Sequence, residues 1–167
     1  MAHRAKGPQE RDGEFEALFR REVGPIGRTV YLIVGDWEVA REITQDAFVQ
    51  VFRHWEKVRL MESPGGWARR VAIRKAVRAR GRDARGRSLL RMTAPSRLVT
   101  ESDSRELDVH RAVLTLPGRQ RAVIALYYFD DRPVGEIATL LGCSEGTVKT
   151  HLARGRDALA TRLGAES

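Results

Sequence analysis

Cysteine is nearly absent from this chain: Cys143 stands alone among 167 residues. An internal disulfide is excluded, and the four scattered histidines with no cysteine pair give no zinc spacing. A reducing cytosol is the natural setting. No apolar run approaches the roughly 20 residues that cross a bilayer, and the N-terminal MAHRAKGPQERDGE lacks the apolar core of a signal peptide. The expectation is a soluble cytoplasmic protein without membrane contact. Asp130 and Asp131 are accompanied by no histidine, lysine or metal-ligand cluster, so they read as a turn, and neither catalytic residue, metal nor cofactor is expected. Negative charge is outnumbered, with 30 Lys and Arg against 22 Asp and Glu. The net +8 points to a polyanionic partner. A hydrophobic content of 42% is enough for folded cores, in one domain or two small ones.

The chain is organised around RPVGEIATLLGCSEGTVKTHLARGRDALATRL, Arg132 to Leu163. Pro133 suits a first helical turn, and Val134, Ile137, Ala138 and Leu141 follow at helical spacing. Gly142 supplies a left-handed helix end, Cys143 reads as a small buried filler, and Ser144 is a good N-cap for a second helix. There Val148, Leu152 and Leu159 share an inner face. Ser144, Glu145, Thr147, Lys149, Thr150, His151, Arg154 and Arg156 are left outside it. Short hydrogen-bonding side chains followed by basic ones suit a helix that reads base edges and grips phosphates. This is a helix-turn-helix.

Residues 1 to about 12 read as a loose polar tail. Phe15, Leu18 and Phe19 then take helical spacing, which Gly24 and Pro25 interrupt before Ile26, Val30 and Val34 resume it and Gly35 closes it. Asp36 to Trp55 is the most regular segment, with Ala40, Ile43, Ala47, Val51 and Trp55 in one stripe that Phe48 and Phe52 widen. Asp36 and Glu38 fit ordinary helix-dipole chemistry. Glu42 and Asp46 lie beyond the first turn, where a docking patch for a partner protein and a solvated face are both open readings. Ser63 and Pro64 open a further helix, whose slim side is Ala68, Ala72, Ala76 and Ala79. Arg70, Arg74 and Arg78 stack four apart beside Trp67 and Lys75, a second nucleic-acid surface if phosphates neutralise it. Trp67 is either a platform for an unstacked base or part of the core.

The pattern dissolves between Asp83 and Glu106, which reads as a linker with a short helical piece around Leu89 and Leu90. Two helices ending near Leu116 and Phe129 then support the helix-turn-helix, with Val123, Leu126 and Tyr127 facing inward. The fold expected is all-α: a helical domain over 13–82, a linker over 83–106 and a second helical domain over 107–164.

DWEVAREITQDAFVQVFRHW, then PGGWARRVAIRKAVRARGR, then VGEIATLLGCSEGTVKTHLARGRDAL, in that order, resemble a bacterial extracytoplasmic-function (ECF) sigma factor. The resemblance implies that Asp36, Glu42, Gln45 and Asp46 dock on core RNA polymerase at the β′ clamp helices, the C-terminal domain meeting the β flap. It implies that Trp67, Arg70, Arg74, Lys75 and Arg78 take the melted minus-ten strand of promoter DNA, and that the helix from Ser144 reads the minus-thirty-five duplex. An anti-sigma partner is implied as well, and a monomer is the default, since nothing in the sequence indicates oligomerisation. Arg74 and Arg78 stand where the family usually has Asn and Asp, so minus-ten specificity does not carry across. His151 stands where Arg is common. Other readings of the basic surfaces are a stand-alone operator-binding regulator and a nucleic-acid-processing enzyme; the acidic helix argues against the first and the missing acid-base constellation against the second.

Overall fold

Helix α1, Pro8–Val34, is the longest element and the one on which both halves of the molecule pack. The computed structural model describes residues 7–86 and 104–165, and among these no strand occurs. After α1 come α2 (Trp37–Arg53), the single turn α3 (Trp55–Val58) and α4 (Pro64–Gly86). The second half holds α5 (Ser104–Leu114), α6 (Gly118–Ile124), α7 (Val134–Leu141) and α8 (Glu145–Ala165). A π-helical turn, Ala125–Phe129, continues α6. The all-α expectation holds.

Several boundaries differ from the sequence reading. The polar tail is shorter than expected, since α1 starts at Pro8, and Arg11 is tied down by Glu56 at 2.5 Å while its carbonyl accepts from Trp55 Nε1 at 3.0 Å. Gly24 and Pro25 do not interrupt α1, which runs through them. An interior proline costs about 3 kcal/mol. Ile26, Val30, Leu32 and Ile33 just beyond it are fully buried, and each full burial returns about 1.5–3 kcal/mol, so packing carries the helix past the defect. The run TVYLIV is helical for the same reason. The helices also enter both ends of the expected linker: α4 continues to Gly86 and α5 begins at Ser104. Leu89 and Leu90 lie outside the described residues.

The small residues of α4 work as expected. Ala68, Ala72 and Ala76 are fully buried, letting α4 approach α1 and α2 closely. Leu18, Ile33, Val51 and Ile73 from the first half share one hydrophobic cluster with Val113, Ile124, Leu126, Ile137 and Val148 from the second. α1 contacts α5, α6 and the π-helical turn, and α4 contacts α7. The two halves are thus one packed body in this arrangement, which helical spacing alone does not reveal.

Two arginines stand at that junction. Arg69 of α4 donates to Asp130, to the Phe129 carbonyl at 2.6 Å and to Thr29 Oγ1 at 3.0 Å. Arg121 of α6 is buried beneath Gly35, where a Cβ would stand 2.6 Å from its Nη2. Gly35 therefore serves twice, closing α1 at φ 75° and making room for a guanidinium.

Candidate nucleic-acid interface

The joint between α7 and α8 is built as its residues dictate. Gly142 takes the left-handed conformation, φ 64°, and its N–H turns back on the end of α7. Ser144 Oγ accepts from the Thr147 N–H at 3.1 Å, capping α8. Ile137, Ala138, Val148 and Leu152 are buried between the helices. Gly155 explains how closely α8 sits on α6: a Cβ there would come within 2.7 Å of Ile124 Cγ1. Cys143 is half-exposed rather than buried, because the tight turn stands at the rim of the core.

On the outer side of α8, Glu145, Lys149, Thr150, Arg154 and Arg156 are exposed. Thr147 is half-buried beside Ser144, and the Thr150 hydroxyl donates to the Gly146 carbonyl at 3.0 Å, leaving its oxygen to accept. His151 is half-buried, and its Nδ1 is enclosed without a hydrogen-bond partner among the described residues. Burial first, then Arg119, Arg154 and Arg80, pushes the His151 pKa down. The imidazole is neutral at pH 7, so its contribution there is a hydrogen-bonding edge rather than a charge. Arg156 is not loose: its Nε donates to Tyr128 Oη at 2.5 Å.

The second basic surface is on α4. Arg70, Arg74 and Arg78 are exposed on one side, with Lys75 half-buried beside them. Trp67 is half-buried and meets His54 edge-on at 6.2 Å, so part of its ring is core and part is open. Ser63 caps this helix, accepting from the Gly66 N–H at 3.0 Å. Arg80, further along α4, turns inward towards α6; its Nη1 lies 3.8 Å from where a Gly118 Cβ would be. Burial, then Arg119, lowers its pKa. The basic surfaces of α4 and α8 therefore adjoin at Arg80, Arg119 and His151.

The acidic residues are carried by another helix, α2. Glu42, Gln45 and Asp46 are exposed on α2, continuous with Val49 at 50% and Phe52 at 55% exposure. Asp36 is set apart from them: its Oδ1 accepts from the Val39 N–H at 3.1 Å, capping α2. Sequence reasoning did not single out Arg69, Arg80, Arg119, Tyr128, Val49 or Phe52 for these surfaces. Phe52 was expected to widen the buried stripe of α2; Phe48 does so at 3% exposure, whereas Phe52 is 55% exposed, because it stands at the edge of the face that α1 and α4 cover. Among the described residues no group of three or more His, Cys, Asp or Glu could hold a metal, and no helix is long and apolar enough to cross a membrane.

Comparison with known proteins separates the same two halves. Residues 18–86 match the model of sigma-70 region 2, and residues 106–159 that of sigma-70, region 4. The ECF RNA polymerase sigma factor SigM of Mycobacterium tuberculosis is 30% identical, the match covering 90% of this chain and 77% of SigM. SigW of Bacillus subtilis, also an ECF RNA polymerase sigma factor, is 27% identical over 95% of this chain and 91% of its own. Among solved structures the fold resembles the sigma factor RpoE of Bartonella quintana, crystallised in complex with the anti-sigma factor NepR. That likeness has a TM-score of 0.60 at 18% identity, covering 92% of this chain and 99% of RpoE. A region-2 half leaves the stand-alone operator-binding reading without support. With both regions matched in order and SigM 30% identical over 90% of this chain, the chain belongs to the ECF sigma factors of bacterial RNA polymerase.

Proposed function

We propose that this ECF sigma factor binds core RNA polymerase through the outer face of α2 and delivers it to promoters through α4 and α8. The observation that carries the docking assignment is the exposed run Glu42, Gln45, Asp46, Val49 and Phe52. On a chain of net charge +8, an acidic face with an apolar strip beside it suits a basic partner surface with an apolar contact at its centre. Asp36, at the N-terminal end of α2, acts chiefly by capping that helix.

The DNA roles divide by chemistry. Glu145, Lys149 and Thr150 lie in the first turns of α8, the part of a recognition helix that reaches base edges, with Ser144, Thr147 and His151 beside them. Arg154 and Arg156 lie farther back and serve phosphates. Arg70, Arg74, Lys75 and Arg78 form the cationic track for the melted minus-ten strand, and the open edge of Trp67 offers a stacking surface for an unpaired base. An anti-sigma factor is the inhibitory partner, as for the crystallised RpoE. The chain acts as a cytoplasmic monomer and a binding factor, not as a catalyst.

The test is binding to purified core RNA polymerase by the intact chain and by Asp46→Arg and Phe52→Ala variants. Asp46 is exposed, and Phe52 is 55% exposed with its ring edge-on to Phe15 at 5.1 Å, so melting curves are recorded beside binding; both variants should stay folded and lose affinity tenfold or more. Unchanged affinity in both variants would remove α2 from the docking role.

A further inference from the structure

Arg156 is held in place by two tyrosines. Its Nε donates to Tyr128 Oη at 2.5 Å, and its guanidinium carbon lies 5.6 Å from the ring centroids of both Tyr127 and Tyr128. Those rings meet each other edge-on at 4.9 Å. The two tyrosines are consecutive in the π-helical turn Ala125–Phe129. Such widened turns occur often at functional sites. Tyr128 is 48% exposed, a large side chain left in solvent with no core duty.

An exposed arginine ordinarily samples many rotamers, and fixing it costs a ligand roughly 0.5–1.5 kcal/mol per side chain on binding. Here that ordering is already done. The bond to Tyr128 uses the Nε donor, one of five N–H groups, and no carboxylate among the described residues pairs with the cation. The terminal nitrogens keep the fork that matches a phosphate. Position supports the same end. Arg156 follows the N-cap Ser144 by 12 residues, about 18 Å along a helix at 1.5 Å per residue, whereas a major groove is about 12 Å wide. A helix inserted by its N-terminal end therefore carries Arg156 to the flanking backbone.

We propose that Tyr128 is a positioning residue for duplex binding: together with Tyr127 it pre-orders Arg156 into a phosphate clamp beside the minus-thirty-five element. The proposal rests on the reading of α8 as the duplex-binding helix and adds the residue that sets its backbone contact.

The experiment uses the full chain bound to core RNA polymerase and a promoter duplex selected from a random pool by the wild-type complex. Affinity is measured against salt concentration for wild type, Tyr128→Phe, Arg156→Ala and the double variant. Loss of one phosphate contact lowers the salt slope by about 0.9. Arg156→Ala should show that change with an affinity loss of about tenfold, falling equally on selected and mismatched minus-thirty-five sequences. Tyr128→Phe should weaken binding about threefold and lose that effect when Arg156 is already alanine. An undiminished Tyr128→Phe effect in the Arg156→Ala background overturns positioning, because the phenol then acts by itself. Wild-type binding by Tyr128→Phe beside a weakened Arg156→Ala overturns it too. Wild-type binding by Arg156→Ala instead sinks the assignment of Arg156 to DNA, which is a failure of the underlying reading.

Discussion

Arg69 and Asp130, one in each half of the chain, form an ion pair across the junction between α4 and the end of the π-helical turn. The Asp130 side chain is 1% exposed and also accepts from Arg132 Nε at 2.6 Å, while Arg132 reaches on to Glu136 at 3.1 Å. One carboxylate thus balances two guanidinium groups beside a shared core.

Removing that carboxylate leaves both cations short of a partner, and breaking a buried pair from one side costs about 3 kcal/mol. Asp130→Ala should lower stability by that amount in urea unfolding. It should also split a single thermal transition in two, as the halves lose their common anchor. Asp130→Asn keeps the hydrogen-bond acceptor without the charge and should fall between. A loss below about 0.5 kcal/mol would show that the pair is no more than a surface ion pair.

The two left-handed glycines should respond unequally to alanine. At Gly142, φ 64°, no atom of a described residue beyond its chain neighbours lies within 4 Å of the new Cβ, so Gly142→Ala should cost only the backbone strain, about 1–2 kcal/mol. At Gly35, φ 75°, the new Cβ also meets the buried Arg121 guanidinium at 2.6 Å. Gly35→Ala should therefore lower the melting temperature more than Gly142→Ala does. The reverse order would mean that Arg121 moves aside freely.

Ser144 is a cap and, in the proposed reading, also a DNA contact, and the two duties can be separated. Ser144→Ala removes the acceptor for the Thr147 N–H and should cost about 1 kcal/mol. Ser144→Asp restores a cap and should keep wild-type stability, yet repel phosphates and weaken duplex binding. If Ser144→Asp binds duplex as wild type does, Ser144 faces away from the DNA and is a cap alone.

The helix-turn-helix was legible because its signals are local. Gly142, Ser144 and the spacing of Ile137, Val148 and Leu152 lie within one short segment, and each carries its conformation with it. Pro25 misled because its local cost is real but smaller than the burial around it, which depends on α2 and α4. Asp130 reads as a turn and does follow one, but its partner Arg69 is 61 positions away and nothing in the spacing links them. The shared core escapes for the same reason: an apolar face looks alike whichever helix covers it. The basic and acidic faces were visible as patterns, whereas the Tyr128 bond to Arg156 needed the π-helical turn, which has no periodic signature.

His151 links the DNA-facing helix to pH. Its folded pKa is pushed below the ordinary value of 6.5 by burial and by Arg119, Arg154 and Arg80, whereas the unfolded chain titrates near 6.5. Between those two values the unfolded state holds more protons, so stability rises with pH through that window. The penalty is absent above about pH 7.5, enters as pH falls through 6.5 and is complete below the folded pKa. Protonation there would add a charge beside cations of α4, α6 and α8 that already act on it electrostatically. His151→Asn keeps a polar side chain of similar reach and cannot take the proton. Melting curves for the two proteins between pH 7.5 and 5 should therefore diverge as pH falls, with wild type losing more. Parallel curves would show that His151 escapes its neighbours on protonation and that the junction does not sense pH through this residue.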